Sequence, residues 1–216
     1  MQVIEKFVSI NGEGLRQGEL AVFIRFANCN LRCSYCDTTY SFNNPIFENE
    51  SIDEIIEWVN EQKVKNITLT GGEPLIQKDI EILIEKLANL DYRIEIGTNG
   101  SIDISKFRNL KNTSFTLDYK LPVSLMEKHM NLDNYKLITK NDSVKFVCGT
   151  KEDLDKTFFI IKKYNLDKIT NCLISPVFNM IKLTDIVDFL IENNLNDVKM
   201  YLQIHKIIWD PNKRGV

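Results

Sequence analysis

Short apolar runs alternate along the chain with longer stretches in which apolar residues recur at helical spacing. Seven runs rich in β-branched and aromatic residues are typical of buried strands: Ala21–Phe26, Asn66–Thr70, Tyr92–Ile96, Ser114–Asp118, Val144–Cys148, Thr170–Ile174 and Val198–Ile204. Four stretches show the period of an amphipathic helix: Ile52–Val59, Ile80–Leu87, Leu154–Ile161 and Leu183–Leu190. Alternating strands and helices predict an α/β fold with a parallel sheet and right-handed crossovers.

Two connections lack a clear helical pattern. Ser101–Thr113 and Leu121–Asp142 are therefore expected to be loops or short turns. No internal repeat, low-complexity tract or Pro/Gly-rich linker interrupts the 216 residues, so we expect a single domain over residues 1–216.

A polar or glycine-rich stretch follows each of the seven predicted strands. These stretches begin at Cys29, Gly71, Gly97, Tyr119, Gly149, Ser175 and His205. Because ligands bind at the carboxyl ends of parallel strands, this arrangement predicts a single site at the mouth of an open barrel.

Composition excludes several classes of function. The 27 Lys+Arg and 30 Asp+Glu residues give a formal net charge of −3, so no basic field for nucleic acid is indicated. No apolar stretch approaches the ~20 residues that a membrane span requires, and the first ten residues do not resemble a signal peptide. The five cysteines are odd in number and three are clustered, which argues against a disulfide framework. We expect a cytoplasmic, soluble chain with reduced cysteines.

The cysteine cluster is the strongest chemical signal. Cys29, Cys33 and Cys36 follow the spacing C-x3-C-x2-C, and thiolates suit zinc or an iron–sulfur cluster. A structural zinc site needs four ligands, yet no fourth cysteine or histidine lies nearby, and Cys148 and Cys172 fall inside predicted strands. The preferred hypothesis is a 4Fe-4S cluster on three thiolates with one open iron, and zinc remains the alternative.

These motifs together resemble the radical S-adenosylmethionine (SAM) superfamily. The resemblance is carried by the cysteine spacing with Tyr35 before the last cysteine, and by Gly71-Gly72-Glu73-Pro74 after the next strand. It implies a partial, open (β/α)6-type barrel with parallel strands and some shortened or missing helices. It also implies that the open iron binds the amino and carboxylate groups of SAM, and that the reduced cluster cleaves SAM to a 5′-deoxyadenosyl radical.

The same resemblance implies roles for residues around SAM. Glu73 would accept a hydrogen bond from the methionyl amino group, and Gly71 and Gly72 would let the backbone approach that moiety. The full set of expected SAM contacts is Tyr35, Asp37, Gly72, Glu73, Thr98, Asn99, Asp118, Tyr119, Lys120 and Ser175.

Three further stretches resemble a narrower group within the superfamily. They are Ser9–Gly14 with Arg25, Cys36–Thr38, and Gln203–Lys206 with Arg214–Val216. Members of that group convert 6-carboxy-5,6,7,8-tetrahydropterin to 7-carboxy-7-deazaguanine with loss of ammonia. The resemblance implies that the N-terminal segment and the C-terminal tail close the substrate site, with contacts from Asn11, Gly12, Glu13, Arg25, Thr70, His205 and Val216.

Four of these residues carry the expected chemistry. Glu13 would accept from the ring N–H and amino donors, and Arg25 would bind the substrate carboxylate through its guanidinium. His205 would sit over the ring or donate to it, and the Thr38 hydroxyl would bind Mg²⁺ at the substrate, with Asp37 beside it. The residues alone leave simpler alternatives: a salt-bridged surface arginine, a structural histidine and an ordinary turn.

Other implied partners are a flavodoxin- or ferredoxin-like electron donor and a second copy of the chain in a homodimer. The sequence also departs from the group pattern. Asn11 stands where many members have Gln, and Gly97 replaces the Glu that usually precedes Thr-Asn-Gly, with Glu95 two residues earlier. Asp118-Tyr119-Lys120 replaces a Ser-Pro-Lys-like segment. Two alternative functions remain: an activase that generates a glycyl radical on a partner protein, and a zinc-binding interaction module.

Overall fold

Nine strands form one sheet in the computed structural model, which describes residues 1–216. The strands are β1 (Gln2–Ile10), β2 (Leu20–Phe26), β3 (Glu48–Asn49), β4 (Asn66–Gly71), β5 (Arg93–Thr98), β6 (Thr113–Tyr119), β7 (Ser143–Cys148), β8 (Asn171–Pro176) and β9 (Val198–Met200). Their order is β3-β1-β2-β4-β5-β6-β7-β8-β9. From β2 to β9 every neighbouring pair is parallel, whereas β1 and β3 add to one edge in antiparallel fashion.

The chain has six helices, and the last of them follows the final strand. They are α1 (Ile52–Gln62), α2 (Ile80–Asn89), α3 (Lys151–Tyr164), α4 (Leu166–Ile169), α5 (Leu183–Glu192) and α6 (His205–Ile208). The connections from β5 to β6 and from β6 to β7 contain only short 3-10 turns, as their sequences predict. The expectation of an open, partial barrel that lacks some helices is therefore confirmed. None of the helices combines the length and apolar character needed to cross a membrane.

Local signals in the sequence explain where the main helices begin. Ser51 caps α1, and its hydroxyl accepts from the Glu54 N–H while the Glu54 carboxylate accepts from the Ser51 N–H, which is the predicted capping box. Thr150 and Asp153 form the same arrangement at the start of α3. These caps satisfy amide groups that have no partner within the helix.

The two faces of the sheet have opposite character. Along β6, Phe115, Leu117 and Tyr119 join a hydrophobic cluster of 40 buried residues that includes the buried sides of the helices. The alternate residues Ser114 and Thr116 lie on the other face, yet they are also buried. We call the helix-covered side the outer face and the polar side the inner face.

Three predictions about elements were wrong or incomplete. β1 was not predicted, because its burial does not alternate regularly and most of its residues are only partly covered. The last strand ends at Met200 rather than Ile204, so His205 begins α6 after four intervening residues instead of directly following the strand. The chain leaves the sheet there because it crosses the N-terminal segment, where the Ile204 N–H donates to the Gly12 carbonyl at 3.2 Å.

The spacing of Leu183, Ile186, Val187 and Leu190 predicts one buried side for α5, and the structure differs from that prediction. Ile186 and Phe189 are buried, whereas Leu183 and Val187 are largely exposed. The apolar residues surround this short helix so widely that their spacing alone does not define a single buried side.

Candidate active site

The inner face is closed by two chain segments that follow or precede sheet strands. Residues 11–17 lie against β4, β5 and β6: the Thr68 hydroxyl donates to Asn11 Oδ1 at 2.6 Å, and the Leu15 N–H donates to Glu95 Oε1 at 3.2 Å. From the other end of the chain, the Tyr201 hydroxyl donates to the Gly14 carbonyl at 3.1 Å. The polar residues of the inner face are therefore enclosed between the sheet and these two segments, and we call this region the chamber.

The two closing segments also contact each other. Gln17 Nε2 donates to the carbonyls of Gly12 at 3.1 Å and Leu202 at 2.5 Å. The His205 imidazole lies so close to Gly12 that a Cβ at that position would fall 2.1 Å from Nδ1. Gly12 is thus required for His205 to reach the chamber.

A chain of alternating charges crosses this chamber. Lys145 Nζ lies 2.5 Å from Glu13 Oε2 and 3.3 Å from Asp118 Oδ1, and Lys120 Nζ lies 2.5 Å from Asp118 Oδ2. Gln203 Nε2 donates to the other Glu13 oxygen, Oε1. Three residues expected near SAM or substrate, Glu13, Asp118 and Lys120, are thereby connected through Lys145, which was not predicted.

The ionisation states of these charged groups follow from their geometry. Burial alone would raise the pKa of Glu13 and of Asp118, but the neighbouring ammonium groups outweigh burial and lower both values. Burial would lower the pKa of Lys145 and of Lys120, yet Asp118 raises both. All four groups are therefore charged at neutral pH.

One signal could have identified Lys145 from sequence. It stands between Val144 and Phe146 in an otherwise apolar strand, at a position that faces away from the helices. A lysine placed inside such a strand needs a buried acid partner. The sequence does not show which acids those are, because Glu13 and Asp118 lie on distant segments.

The cysteine loop lies between β2 and the turn at Thr39–Ser41, at the carboxyl end of the parallel strands. Cys29, Cys33 and Cys36 are free and half-buried. Burial raises the pKa of the Cys33 and Cys36 thiols above their ordinary value, which favours the protonated form. A bound metal would therefore have to displace a proton from each thiol to form the thiolate. Two amide groups point at Cys29 Sγ: the Leu31 N–H at 3.4 Å and Asn99 Nδ2 at 3.7 Å.

This donor set fits an iron–sulfur cluster better than a single ion. No three histidine, cysteine, aspartate or glutamate side chains converge closely enough to bind one metal ion. A cluster attaches each thiolate to a different iron and so separates the three sulfur atoms. Amide donors to a thiolate are also among the contacts that tune such clusters.

The Gly-Gly-Glu-Pro segment packs directly on the cysteine loop. Gly71 has a φ of 139°, and a Cβ there would lie 2.2 Å from the Phe26 carbonyl oxygen. A Cβ on Gly72 would lie 2.0 Å from the Asn28 carbonyl oxygen. Within the protein, the close approach that these glycines permit is to Phe26 and Asn28, which lead into the cysteine loop, and their approach to the methionyl moiety stays a prediction.

Glu73 is fully buried at the junction of three strand ends. Its carboxylate accepts from the Asn99 N–H at 2.7 Å, the Thr98 hydroxyl at 2.8 Å and the Leu75 N–H at 3.0 Å. Burial raises the pKa of Glu73 to about 7 despite these hydrogen bonds. Glu73, which follows β4, is thus linked to Thr98 and Asn99 at the end of β5, and through Asn99 to Cys29.

The other residues expected around SAM divide into two groups. Tyr35 has a buried hydroxyl without a hydrogen-bond partner, and Ser175 is buried on the inner face of β8. Tyr119 points the opposite way: its ring packs 5.6 Å from that of Tyr135, and its hydroxyl donates to Glu127 at 2.8 Å. The side chain of Tyr119 therefore lies in the outer core.

The sequence left two interpretations of Arg25 open, a salt bridge within the protein and a contact to the substrate carboxylate, and the structure is compatible with both. Its Nε donates to Glu5 Oε1 at 2.5 Å, and the Tyr40 hydroxyl donates to the same oxygen at 3.2 Å. Arg25 is thus salt-bridged within the protein. In the sheet it lies beside Thr70, its register partner on β4. Its two Nη groups form no hydrogen bond within the protein, which leaves their donors available for a ligand.

The residues after the third cysteine are tied to the C-terminal tail. The Thr38 hydroxyl donates to Asp37 Oδ1 at 2.9 Å, and Lys206 Nζ lies 2.8 Å from Asp37 Oδ2. Although desolvation opposes ionisation, the Lys206 ion pair and the hydrogen bonds lower the pKa of Asp37 to about 2. Farther along the tail, the Arg214 guanidinium stacks 3.5 Å from the Tyr40 ring, and Val216 is half-buried.

Comparison with known proteins first defines the class. The family model for the radical SAM superfamily matches residues 23–190. The fold resembles a crystal structure of QueE from Escherichia coli, with a TM-score of 0.68 and 19% identity over 93% of this chain and 92% of that one. Streptococcus suis SuiB bound to S-adenosylmethionine gives a TM-score of 0.55 at 14% identity, over 83% of this chain and 48% of that one. The fold and the cysteine site are those of a radical SAM enzyme.

Two relatives match this chain over its full length or nearly so, and they show its family within that class. A 7-carboxy-7-deazaguanine synthase of Clostridium acetobutylicum is 53% identical over 100% of this chain and 99% of that protein. One from Leptospira interrogans is 33% identical over 99% and 97%, respectively. The chain belongs to the 7-carboxy-7-deazaguanine synthase family of radical SAM lyases, and SAM and a 4Fe-4S cluster follow from that membership.

Proposed function

We propose that this chain converts 6-carboxy-5,6,7,8-tetrahydropterin to 7-carboxy-7-deazaguanine with loss of ammonia, using SAM, a 4Fe-4S cluster and Mg²⁺. The enclosed polar chamber next to the cysteine loop carries this proposal, since it offers charged and hydrogen-bonding groups to a small polar ring. Identity of 53% to a synthase with this product supports it. Neither the glycyl-radical activase nor the zinc-binding module receives support from these relatives.

Cys29, Cys33 and Cys36 would hold the cluster, which together with SAM supplies the radical that removes a hydrogen atom from the substrate. Glu73 is buried behind this loop and accepts only from neutral donors, so it is suited to a further N–H from the methionyl amino group. Lys120 offers a charge of the sign that the methionyl carboxylate needs. Thr98, Asn99, Asp118, Gly72 and Ser175 complete the proposed contacts.

The substrate carboxylate would bind the free Nη donors of Arg25, whose orientation Glu5 fixes through Nε. Thr70 lies beside Arg25 on the next strand. His205 faces Gly12, and burial lowers the pKa of the imidazole, so the ring is neutral at neutral pH and both donates and accepts. Asn11, Glu13 and the chain end at Val216 are the remaining proposed substrate contacts.

Mg²⁺ would take the Thr38 hydroxyl as its ligand from this chain. Magnesium prefers oxygen ligands, retains several waters and often takes few ligands from protein. Asp37 holds the Thr38 hydroxyl and is itself held by Lys206, which sets the direction of the Thr38 side chain. We further propose that a flavodoxin- or ferredoxin-like protein reduces the cluster and that the chain forms a homodimer.

The direct test is an anaerobic reaction of the reduced, cluster-loaded protein with SAM, Mg²⁺ and 6-carboxy-5,6,7,8-tetrahydropterin. We expect 7-carboxy-7-deazaguanine and ammonia in equal amounts. Cleavage of SAM without this product would contradict the proposed substrate while leaving the radical chemistry intact. A protein that binds zinc and no iron or sulfide would contradict both.

The proposed magnesium ligand leads to a separate prediction. Replacing Thr38 by alanine removes the hydroxyl but none of the thiolates, so the iron content should not change. We expect turnover to fall at least about 10-fold at limiting Mg²⁺, because removal of a ligand or its support typically costs 10- to 100-fold in metal affinity or activity. Ser is the matched control, since Thr38→Ser retains the hydroxyl. An unchanged Mg²⁺ dependence in Thr38→Ala would contradict the assignment.

A further inference from the structure

Glu95 is a buried carboxylate of the inner face with one engaged and one free oxygen. Its side chain projects from β5, and the residue is only 3% exposed. Oε1 accepts from the Thr116 hydroxyl at 2.6 Å and from the Leu15 N–H at 3.2 Å. Oε2 is buried and has no hydrogen-bond partner. An unpaired buried acceptor is costly, so a ligand donor at this point would be strongly favoured.

A free donor accompanies this free acceptor. Asn11 Nδ2 is also buried without a partner, while Asn11 Oδ1 is held by the Thr68 hydroxyl at 2.6 Å. Thr68 on β4 is the register partner of Glu95 on β5. Because neighbouring strands lie about 4.8 Å apart, Thr68 holds Asn11 over the strand next to Glu95, at the same level of the sheet.

The inner face is not crowded beside Glu95, and a methyl-sized group would fit there without a clash. Gly97 follows Glu95 on the inner face of β5, and a Cβ built there would meet nothing nearer than 3.8 Å, the closest atoms being Leu69 O and Thr70 Oγ1. Glu13 does not offer a comparable free acceptor, since Lys145 occupies one of its oxygens and Gln203 the other.

We propose that Glu95 and Asn11 together bind a lactam edge of the substrate ring. A lactam places an N–H donor beside a carbonyl acceptor, which complements the free Glu95 Oε2 and the free Asn11 Nδ2. This inference rests on the proposed pterin substrate, whose pyrimidine ring carries such an edge. It assigns recognition of that edge to Glu95 rather than to Glu13, and Gly97 leaves the space through which the ring reaches it.

The test compares two ligands on two proteins. The ligands are 6-carboxypterin, a stable pterin with the lactam N–H, and its N3-methyl derivative, which lacks that donor. Glu95→Gln keeps an oxygen for Thr116 and Leu15 but turns the free acceptor into an N–H donor. Glu85→Gln, the same change on an exposed position of α2, is the matched control. Binding is followed by pterin fluorescence with the cluster-loaded protein and SAM.

We expect the wild type and Glu85→Gln to bind 6-carboxypterin about 10- to 100-fold more tightly than the N3-methyl derivative, the range for a hydrogen bond to a charged group. Glu95→Gln should lose a similar factor for 6-carboxypterin and discriminate little between the two ligands. Iron content and SAM affinity should not change, which separates lost recognition from misfolding. Wild-type affinity and discrimination in Glu95→Gln would overturn the inference.

A second variant tests the space rather than the charge. Gly97→Ala adds one methyl group where the protein itself leaves room, so folding should be unaffected. We expect weaker binding of both ligands with their ratio retained. Tight binding in this variant would show that the ring does not pass Gly97 and would overturn the placement. Failure of the wild type to bind either pterin or to form product would instead reject the proposed function itself.

Discussion

The two faces of β6 and β7 are built from alternate residues of the same strands, yet they serve different purposes. On the outer face, Val144 and Phe146 are fully buried in the hydrophobic cluster. On the inner face, Ser143 and Lys145 are held by specific partners, Thr116 and Glu13 respectively. Apolar packing on one side provides stability, and this lets the other side present polar groups in a chamber.

The two faces differ in the neighbours that their side chains need when they are buried. A side chain of the outer face gains free energy from burial with any apolar neighbour. A polar atom of the inner face loses water on burial and must find a partner in the protein or in a ligand. The protein supplies partners for both oxygens of Glu13 but leaves one oxygen of Glu95 unpaired. The unpaired oxygen of Glu95 is the atom that a bound ligand would satisfy under our proposal.

The largest effect on stability is expected on the outer face. Phe146→Ala removes a fully buried ring that lies 5.9 Å from that of Tyr119. Such a change typically destabilises by about 3–5 kcal/mol, which chemical denaturation would measure. Activity per folded, cluster-loaded molecule should stay close to that of the wild type, because no atom of the chamber is removed. A lower kcat/KM with little loss of stability would contradict the division of roles between the faces.

Replacement of Lys145, which precedes Phe146 in β7, should reduce activity more than stability. Lys145→Met keeps the length of the side chain but removes the cation between Glu13 and Asp118, two carboxylates that then face each other. We expect a loss of about 2–3 kcal/mol, below the 3–5 kcal/mol of a fully buried pair because Glu13 is partly exposed. Turnover should fall at least about 100-fold, more than this loss of stability explains. Full activity would show that the charge chain is structural only.

Sequence patterns predicted the outer face better than the inner face. Strands such as Val144–Cys148 are recognisable because burial on the outer face requires apolar residues at every second position, and the cysteine spacing and Gly-Gly-Glu-Pro are local motifs. The two connections without helices were also predicted, since a missing periodicity is visible in the sequence. β1 was missed because partial burial leaves no regular alternation.

The partners within the chamber could not be predicted in the same way. Lys145 contacts Glu13, which lies 132 residues away in the chain, and Gln203 contacts it from a distance of 190 residues. Which oxygen of Glu95 is free depends on Thr116 and on the Leu15 amide. Such pairings depend on tertiary packing, so the residue type indicates the chemistry but not the partner.

The smallest expected effect concerns the segment that closes the inner face. Lys206 of α6 forms an ion pair with Asp37, whose side chain is 57% exposed, and lies 5.5 Å from the Phe178 ring. An exposed pair of this kind contributes only about 0.2–1 kcal/mol, so Lys206→Gln should barely change the unfolding midpoint. The pair nevertheless connects the tail to the cysteine loop, and its loss should raise KM several-fold with a smaller change in kcat.

Salt provides the control for this prediction. Ions screen an exposed pair, so added salt should raise KM of the wild type toward that of Lys206→Gln and affect the variant less. Lys168→Gln breaks another exposed pair, with Asp197, that lies outside the chamber and should leave KM unchanged. If both variants behave alike, closure of the inner face does not depend on the Lys206–Asp37 pair, and the contacts of Gln17 and Tyr201 suffice to hold the tail.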